Sequence, residues 1–322
     1  MAVTIELKFK KICDDLDGSE GPVFNTKGDF YAVAPMPTLE DGRVEEASQF
    51  LDKIAGNLHK VNLDTGEHEV VCTPQFEGYG GRPAGCQSDK NGNIWIADMR
   101  LGILKYSPED GKCQQLSKVD SSGNALNGCN DLVFDKDGNL WVTGPGSPIA
   151  PSAEDRTLIF QKPSGRLYFL ENGNTIPVAM DETFRFCNGI AIRDNLLLVA
   201  ETMTRSIIAF DVVSSGKLSN RRVWAMLPKA DYDNPMNVGG PDGMDFDVNG
   251  NLLVAHHGGG HLEVFSANGV LKTRIKCPFK QPSNLHFKPA SRTCYVTEHD
   301  FNGVWEFEWE CEGMPMYHFT SQ

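Results

Sequence analysis

The 322-residue sequence predicts an all-β chain folded as a closed ring of six four-stranded units, and three observations carry the prediction. One pattern recurs six times: an apolar or small residue, a polar turn centred on Gly or Asn, then a short β-branched or aromatic strand. Each copy leads into an alternating segment, a Gly-containing turn and a fourth strand-like stretch. Gly 32 and Pro 18 together exceed the roughly 12% average of folded chains, as a turn-rich β protein requires.

In chain order the copies occupy 24–34, 88–98, 134–144, 192–201, 246–256 and 287–298. Turns such as Asp89-Lys-Asn-Gly-Asn and Asp247-Val-Asn-Gly-Asn place Asn-Gly where a tight hairpin needs positive φ. The third strands follow at 58–61, 103–106, 167–170, 207–210, 262–265 and 304–307. From the last copy through the C-terminus and round to residue 24 is about one more unit, so six units close. Four antiparallel strands repeated radially describe a six-bladed β-propeller, one domain over 1–322, whose innermost strands line a central channel. The segment 5–10 (Ile-Glu-Leu-Lys-Phe-Lys) is expected beside the C-terminal strands, locking the ring.

Lys+Arg 30 against Asp+Glu 43 gives a net charge of −13, which repels phosphate backbones and anionic lipid and argues against a nucleic-acid partner. No apolar run approaches a membrane span, and the first residues lack a basic stretch followed by an apolar one. Nine scattered cysteines, odd in number and without a C-x-x-C pair, read as reduced thiols. The expectation is a cytoplasmic monomer acting on a small molecule, with no membrane partner. Nucleotide, Ser-hydrolase and zinc-protease motifs are missing. The run His256-His257-Gly258-Gly259-Gly260-His261 stands without the nucleophile elbow or H-E-x-x-H that would give it meaning, and Asp245-x-Asp247-x-Asn249-Gly250 reads as a hairpin turn with His256 where an EF-hand needs Glu.

Four places before each hairpin stand Glu20, Ala84, Asn130, Asn188, Asp242 and Ser283, one equivalent position on all six inner strands. Five of the six bear oxygen although their surroundings are apolar and glycine-rich, and burying two carboxylates together is costly without a positive partner. Two carboxylates and two carboxamides, with no Cys or His at that phase, suit a hard cation, and Ca2+ fits best. Asn and Asp at strand starts also make local turns, the plainer reading of any one of them. Three places further along, only Asp245 and His286 of adjacent units are strongly polar. With the Leu285 carbonyl they form either a second cation site or a plain Asp–His hydrogen bond.

The stretches Glu20-Gly-Pro-Val-Phe, Gly78-Tyr-Gly-Gly, Pro83-Ala-Gly-Cys-Gln, Ala97-Asp-Met-Arg-Leu-Gly, Gly128-Cys-Asn-Asp, Asp242-Gly-Met-Asp-Phe-Asp and Pro282-Ser-Asn-Leu-His-Phe-Lys-Pro resemble the diisopropyl fluorophosphatase family along nearly the whole chain. These are calcium-dependent six-bladed propellers that cleave the P–F bond of organophosphorus compounds. More distantly the chain is similar to gluconolactonases and regucalcin, which keeps ester and lactone hydrolysis, or a non-catalytic calcium-binding propeller, as alternatives. The resemblance implies two calcium sites, one catalytic on Glu20, Asn130, Asn188 and Asp242, one structural on Asp245, Leu285 and His286. It implies a substrate pocket including Arg82, Met99, Phe186, Thr202, His257, Ser283 and His299, with Arg156 matching a pocket arginine. His257 stands at a family tryptophan and Arg82 at an isoleucine, so the pocket is expected to be more polar. In the implied chemistry Asp242 attacks phosphorus, or Asp242 or His299 activates a water.

Overall fold

The computed structural model describes residues 2–35, 55–126, 128–146, 162–230 and 239–317. Six antiparallel sheets stand radially, each stepping outward from the channel, and the inner strands touch their neighbours all the way round, sixth to first included. Blade one is Glu20–Phe24, Phe30–Ala34, Asn57–Val61 and His68–Cys72. Blade two is Pro83–Ser88, Ile94–Asp98, Gly102–Ser107 and Lys112–Ser117; blade three is Leu132–Phe134, Leu140–Gly144, Gly165–Leu170 and Val178–Phe184. Blade four is Cys187–Arg193, Leu196–Glu201, Ser206–Ser214 and Lys217–Met226. Blade five is Gly240–Phe246, Leu252–His257, His261–Phe265 and Leu271–Lys276. All six predicted hairpins form the two inner strands of a blade. No helix among the described residues is long and apolar enough to cross a membrane.

The ring closes one step later in the chain than expected. Blade six takes Pro282–Phe287, Thr293–Glu298 and Gly303–Glu308 from the end of the chain and Lys10–Cys13 from its beginning, so main-chain hydrogen bonds join the two ends. The segment 5–10 is divided. Val3–Glu6 adds a parallel fifth strand to blade five, and Leu7 and Phe9 bridge onto the apolar cluster between blades five and six. Cys13, buried against blade six, is the apolar anchor of the closing strand.

The hairpin turns owe their shape to the acidic residue that opens them. Asp247 Oδ1 accepts the Asn249 and Asn251 N–H groups at 2.9 and 2.8 Å, and Asp89 and Asp135 do the same in blades two and three. Indole N–H groups of Trp95, Trp141 and Trp309 fill the remaining carboxylate lone pairs. The EF-hand-like sequence is therefore a hairpin turn, as read.

Alternation along the strands divides the apolar residues between the two faces of each blade. Val23 enters the cluster shared with blade two while its neighbour Phe24 enters the one shared with blade six; Leu198 and Leu197 part in the same way in blade four. The described residues form six such clusters, one between each pair of neighbouring blades. Each buried Leu, Ile or Phe contributes about 1.5–3 kcal/mol, which holds the inner strands rigid around the channel.

Candidate metal centre and active site

In blades one, four, five and six the pairing of the innermost strand slips at the same point, between Glu20 and Val23, Cys187 and Ile190, Pro241 and Met244, and Pro282 and Leu285. A bulge re-aims the side chains beside it. Here it falls at the phase of Glu20, Asn188, Asp242 and Ser283. Asn130 stands just before the blade-three strand, its N–H bound to the Thr143 carbonyl at 2.8 Å. One position further along, four of the six inner strands carry glycine. A Cβ on Gly189 would lie 2.1 Å from the Asp242 carbonyl oxygen, and one on Gly243 would lie 2.0 Å from Asn284 Oδ1. The absent side chains let the strands converge on the axis.

That neighbouring phase supplies two polar residues beside the site which the sequence reading passed over, Asp131 and Asn284. Both are buried, and the Asn284 carboxamide hydrogen-bonds both Glu20 and Asp131. The signal was present, since these are the two blades that break the glycine row Gly21, Gly85, Gly189 and Gly243.

Three carboxyl groups, those of Glu20, Asp131 and Asp242, thus act on one another near the axis. Burial pushes the Glu20 carboxyl well above its ordinary range, and the charges of Asp242 and Asp131 add to the rise. Burial and then Asp131 do the same to Asp242, against a hydrogen bond from Asn188; burial lifts Asp131 to about 7. Among the described residues no Lys or Arg pairs with any of the three, and the base in ion-pair range is His299, whose Nε2 is 3.7 Å from Glu20 Oε1. That nitrogen has no hydrogen-bond partner. Burial and the adjacent His257 hold His299 down at about 3, so it is neutral near pH 7 and offers no countercharge.

An all-oxygen donor set with uncompensated negative charge fits a hard divalent cation. Among the described residues no three His, Cys, Asp or Glu side chains stand close enough to hold a metal ion by themselves, so any ion here would draw on carboxamide oxygens as well. Near the opposite end of the inner strands, His286 Nδ1 and Asp245 Oδ2 are 3.1 Å apart, and Asp245 also accepts the Phe246 and Phe287 N–H groups. They line a cavity of about 60 Å3 together with Gln87, Asp131, Leu285 and the 314–317 segment.

The remaining residues fall into separate groups. Thr202 accepts from Asn188 Nδ2 at 3.3 Å and donates to the Pro241 carbonyl at 2.8 Å, which ties blade four to blade five beside Asp242. Phe186, whose carbonyl accepts the Thr202 N–H at 3.0 Å, sits at φ 62, a strained conformation for a bulky residue. His257 Nε2 and His299 Nδ1 share a hydrogen bond at 3.3 Å, extending a polar chain outward from Glu20. Met99 N–H binds the Arg82 carbonyl, while the Arg82 guanidinium turns to the Pro35 carbonyl at 3.0 Å. Ser283 is fully buried, its hydroxyl engaged by the Ser19 carbonyl and Thr297, so it braces the blade six strand and faces no pocket. Arg156 lies outside the described residues. The three clustered histidines go three ways: His256 to Glu263, His257 to His299, His261 to the Gly259 carbonyl.

Comparison with known proteins agrees with this architecture. The chain is 44% identical over 97% of its length, and 96% of the relative's, to a diisopropyl-fluorophosphatase of Loligo vulgaris. A Xanthomonas campestris gluconolactonase structure superposes with a TM-score of 0.70 at 21% identity, covering 94% of this chain and 89% of that one. An Agrobacterium tumefaciens regucalcin, described as a calcium-binding protein, does so with 0.69 at 17%, covering 98% and 99%. These two show the fold. The family model for the SMP-30/Gluconolactonase/LRE-like region matches residues 19–300, and the chain belongs to that family.

Proposed function

We propose that the chain is a calcium-dependent phosphoric-triester hydrolase that cleaves P–F and related bonds of organophosphorus compounds. The observation that carries the reading is that the Glu20, Asp131 and Asp242 carboxyls act on one another, with Asn188 bound to Asp242, and that no Lys or Arg among the described residues neutralises them. The 44% identical Loligo relative supports the substrate class. Glu20, Asn130, Asn188 and Asp242 would hold the ion through oxygen. When bound, Ca2+ supplies Lewis-acid polarisation of the phosphoryl oxygen.

The protein's own groups do the rest. Asp242, oriented by Asn188 and by the Gly243 N–H, attacks phosphorus, and fluoride leaves as the acyl-phosphate bond to Asp242 forms. Water then cleaves that bond and returns the carboxylate. Thr202 keeps Asn188 in place for this, and Asn284 braces Glu20. His299 is the poorer choice of base: a group held at about 3 draws a proton weakly at neutral pH. We assign Asp245, His286 and the Leu285 carbonyl to a second, structural calcium, and Arg82, Met99, Phe186, His257 and His299 to the pocket wall.

The test is a hydrolysis screen over fluorophosphates, phosphotriesters and sugar lactones, with and without a calcium chelator. The expected result is fluoride release that chelation abolishes and Ca2+ restores. Lactone turnover with no phosphorus chemistry would replace this reading with the lactonase one.

A further inference from the structure

We propose that the segment 312–317 is a strap across the turn end of the channel, and that Tyr317 is the latch which sets how fast a cation enters and leaves the Asp245–His286 cavity; this rests on the reading of that cavity as a calcium site. The strap lies outside the strands of blade six and crosses to the neighbouring blades. Its first half is pinned through the main chain: the Glu312 carbonyl accepts the Val248 N–H at 3.0 Å, the Gly313 N–H donates to the Ser291 carbonyl at 3.2 Å, and the Met314 N–H donates to the Phe246 carbonyl at 2.8 Å. A Cβ on Gly313 would lie 2.1 Å from the Phe287 Cβ, so the strap hugs blade six there. Beyond Met314 the Tyr317 side chain takes over. Its hydroxyl accepts the Asp194 N–H in the blade four turn, and its ring packs on the cluster between blades three and four.

Two cavities meet at this latch. One, of about 60 Å3, is lined by Asp245, Leu285 and His286 and by the strap residues Met314, Met316 and Tyr317. The other, of about 490 Å3, lies between blades two and three and reaches solvent past the exposed Lys90, Lys136 and Asn172. Phe134 and Tyr317 line both. Phe134 is fixed, since it belongs to the inner strand of blade three, pairs with Leu140 and meets the Trp95 ring edge-on at 5.5 Å. Tyr317 is the half of the partition that can swing aside, because the hydrogen bond and the ring contact that hold it open without breaking a strand. A cation that leaves the small cavity on this side passes Tyr317.

The experiment strips the intact protein of metal, reloads it with Ca2+, counts the equivalents by calorimetry and follows their release into excess Quin-2 by stopped flow. The expected result is two equivalents, one released fast and one slowly, with the slow one persisting in the Glu20→Gln, Asp242→Asn double variant. Tyr317→Ala should quicken the slow release by about tenfold or more, and Tyr317→Phe, which loses the hydroxyl alone, by about threefold or more. Uptake should quicken by the same factor, so that affinity is unchanged, a result that a merely structural Tyr317 would not give. Two fast equivalents in the unsubstituted chain, a slow one whose rate neither variant changes, or faster release with uptake unaltered and affinity lost, overturns the strap while the second calcium stands. A single equivalent overturns the reading of the cavity, and the strap with it. Tyr317→Phe, which keeps the packed ring, decides where Tyr317→Ala folds poorly.

Discussion

Blade five and its neighbours bury carboxylates in two ways. Glu263, on the third strand of blade five, is fully buried, and the protein surrounds it with its own bases: His256 Nδ1 at 2.8 Å and the Arg274 guanidinium at 2.9–3.1 Å through two nitrogens. Burial would raise its carboxyl, but the hydrogen bonds from His256 and Arg274 outweigh that and hold it below the usual range. Asp242, on the innermost strand of the same blade, and Glu20 across the channel have no such partners and are pushed the other way. A carboxylate whose countercharge is built into the fold serves the fold. One whose countercharge is missing is reserved for a cation from outside.

The difference can be broken most sharply at Asp242. Asp242→Asn keeps a ligand oxygen and removes the attacking charge, so the rate should fall by roughly three orders of magnitude or more while calcium stays bound. Single turnover in 18O-labelled water then reads the route: label in Asp242 and none in the first product is expected, and label in the first product would refute Asp242 as the nucleophile.

Glu263→Gln should do the reverse, leaving calcium binding intact and lowering stability by about 3 kcal/mol, since it leaves the half-buried Arg274 guanidinium without its buried carboxylate. The pH dependence follows from the sign of the shift. A carboxyl depressed in the folded state contributes stability that is complete above its unfolded value of about 4.3 and is lost as pH falls through the lower folded value. The stability gap between the unsubstituted protein and the Glu263→Gln variant, measured by urea denaturation, should therefore be full at neutral pH and shrink in acid below about pH 4. A gap independent of pH would show that Glu263 is not a charge compensated by the fold.

Much of this was legible in the chain. The six hairpins, the four-stranded units and the phase on which Glu20, Asn188 and Asp242 lie follow from periodicity, because turn chemistry and alternation are local properties. What escaped depends on register. Reading one phase of the inner strand included Ser283, which the bulge in blade six leaves buried against Thr297, and missed Asp131 and Asn284 one residue away. The pairing of Glu263 with Arg274 on the neighbouring outer strand, and with His256 on the neighbouring inner one, is likewise invisible without the sheet. The closing strand was misplaced by a few residues, since Lys10–Cys13 is short and its two lysines hide the single buried Cys13 that anchors it.

The central claim is that the half-buried Glu20 and the buried Asp242 stand without countercharge and hold a cation, and calcium titration calorimetry on chelator-stripped protein tests it most directly. The account predicts that neutralising both charges, Glu20→Gln with Asp242→Asn, leaves a folded protein that binds one equivalent of calcium fewer than the unsubstituted chain. An unchanged stoichiometry in the double variant would contradict it.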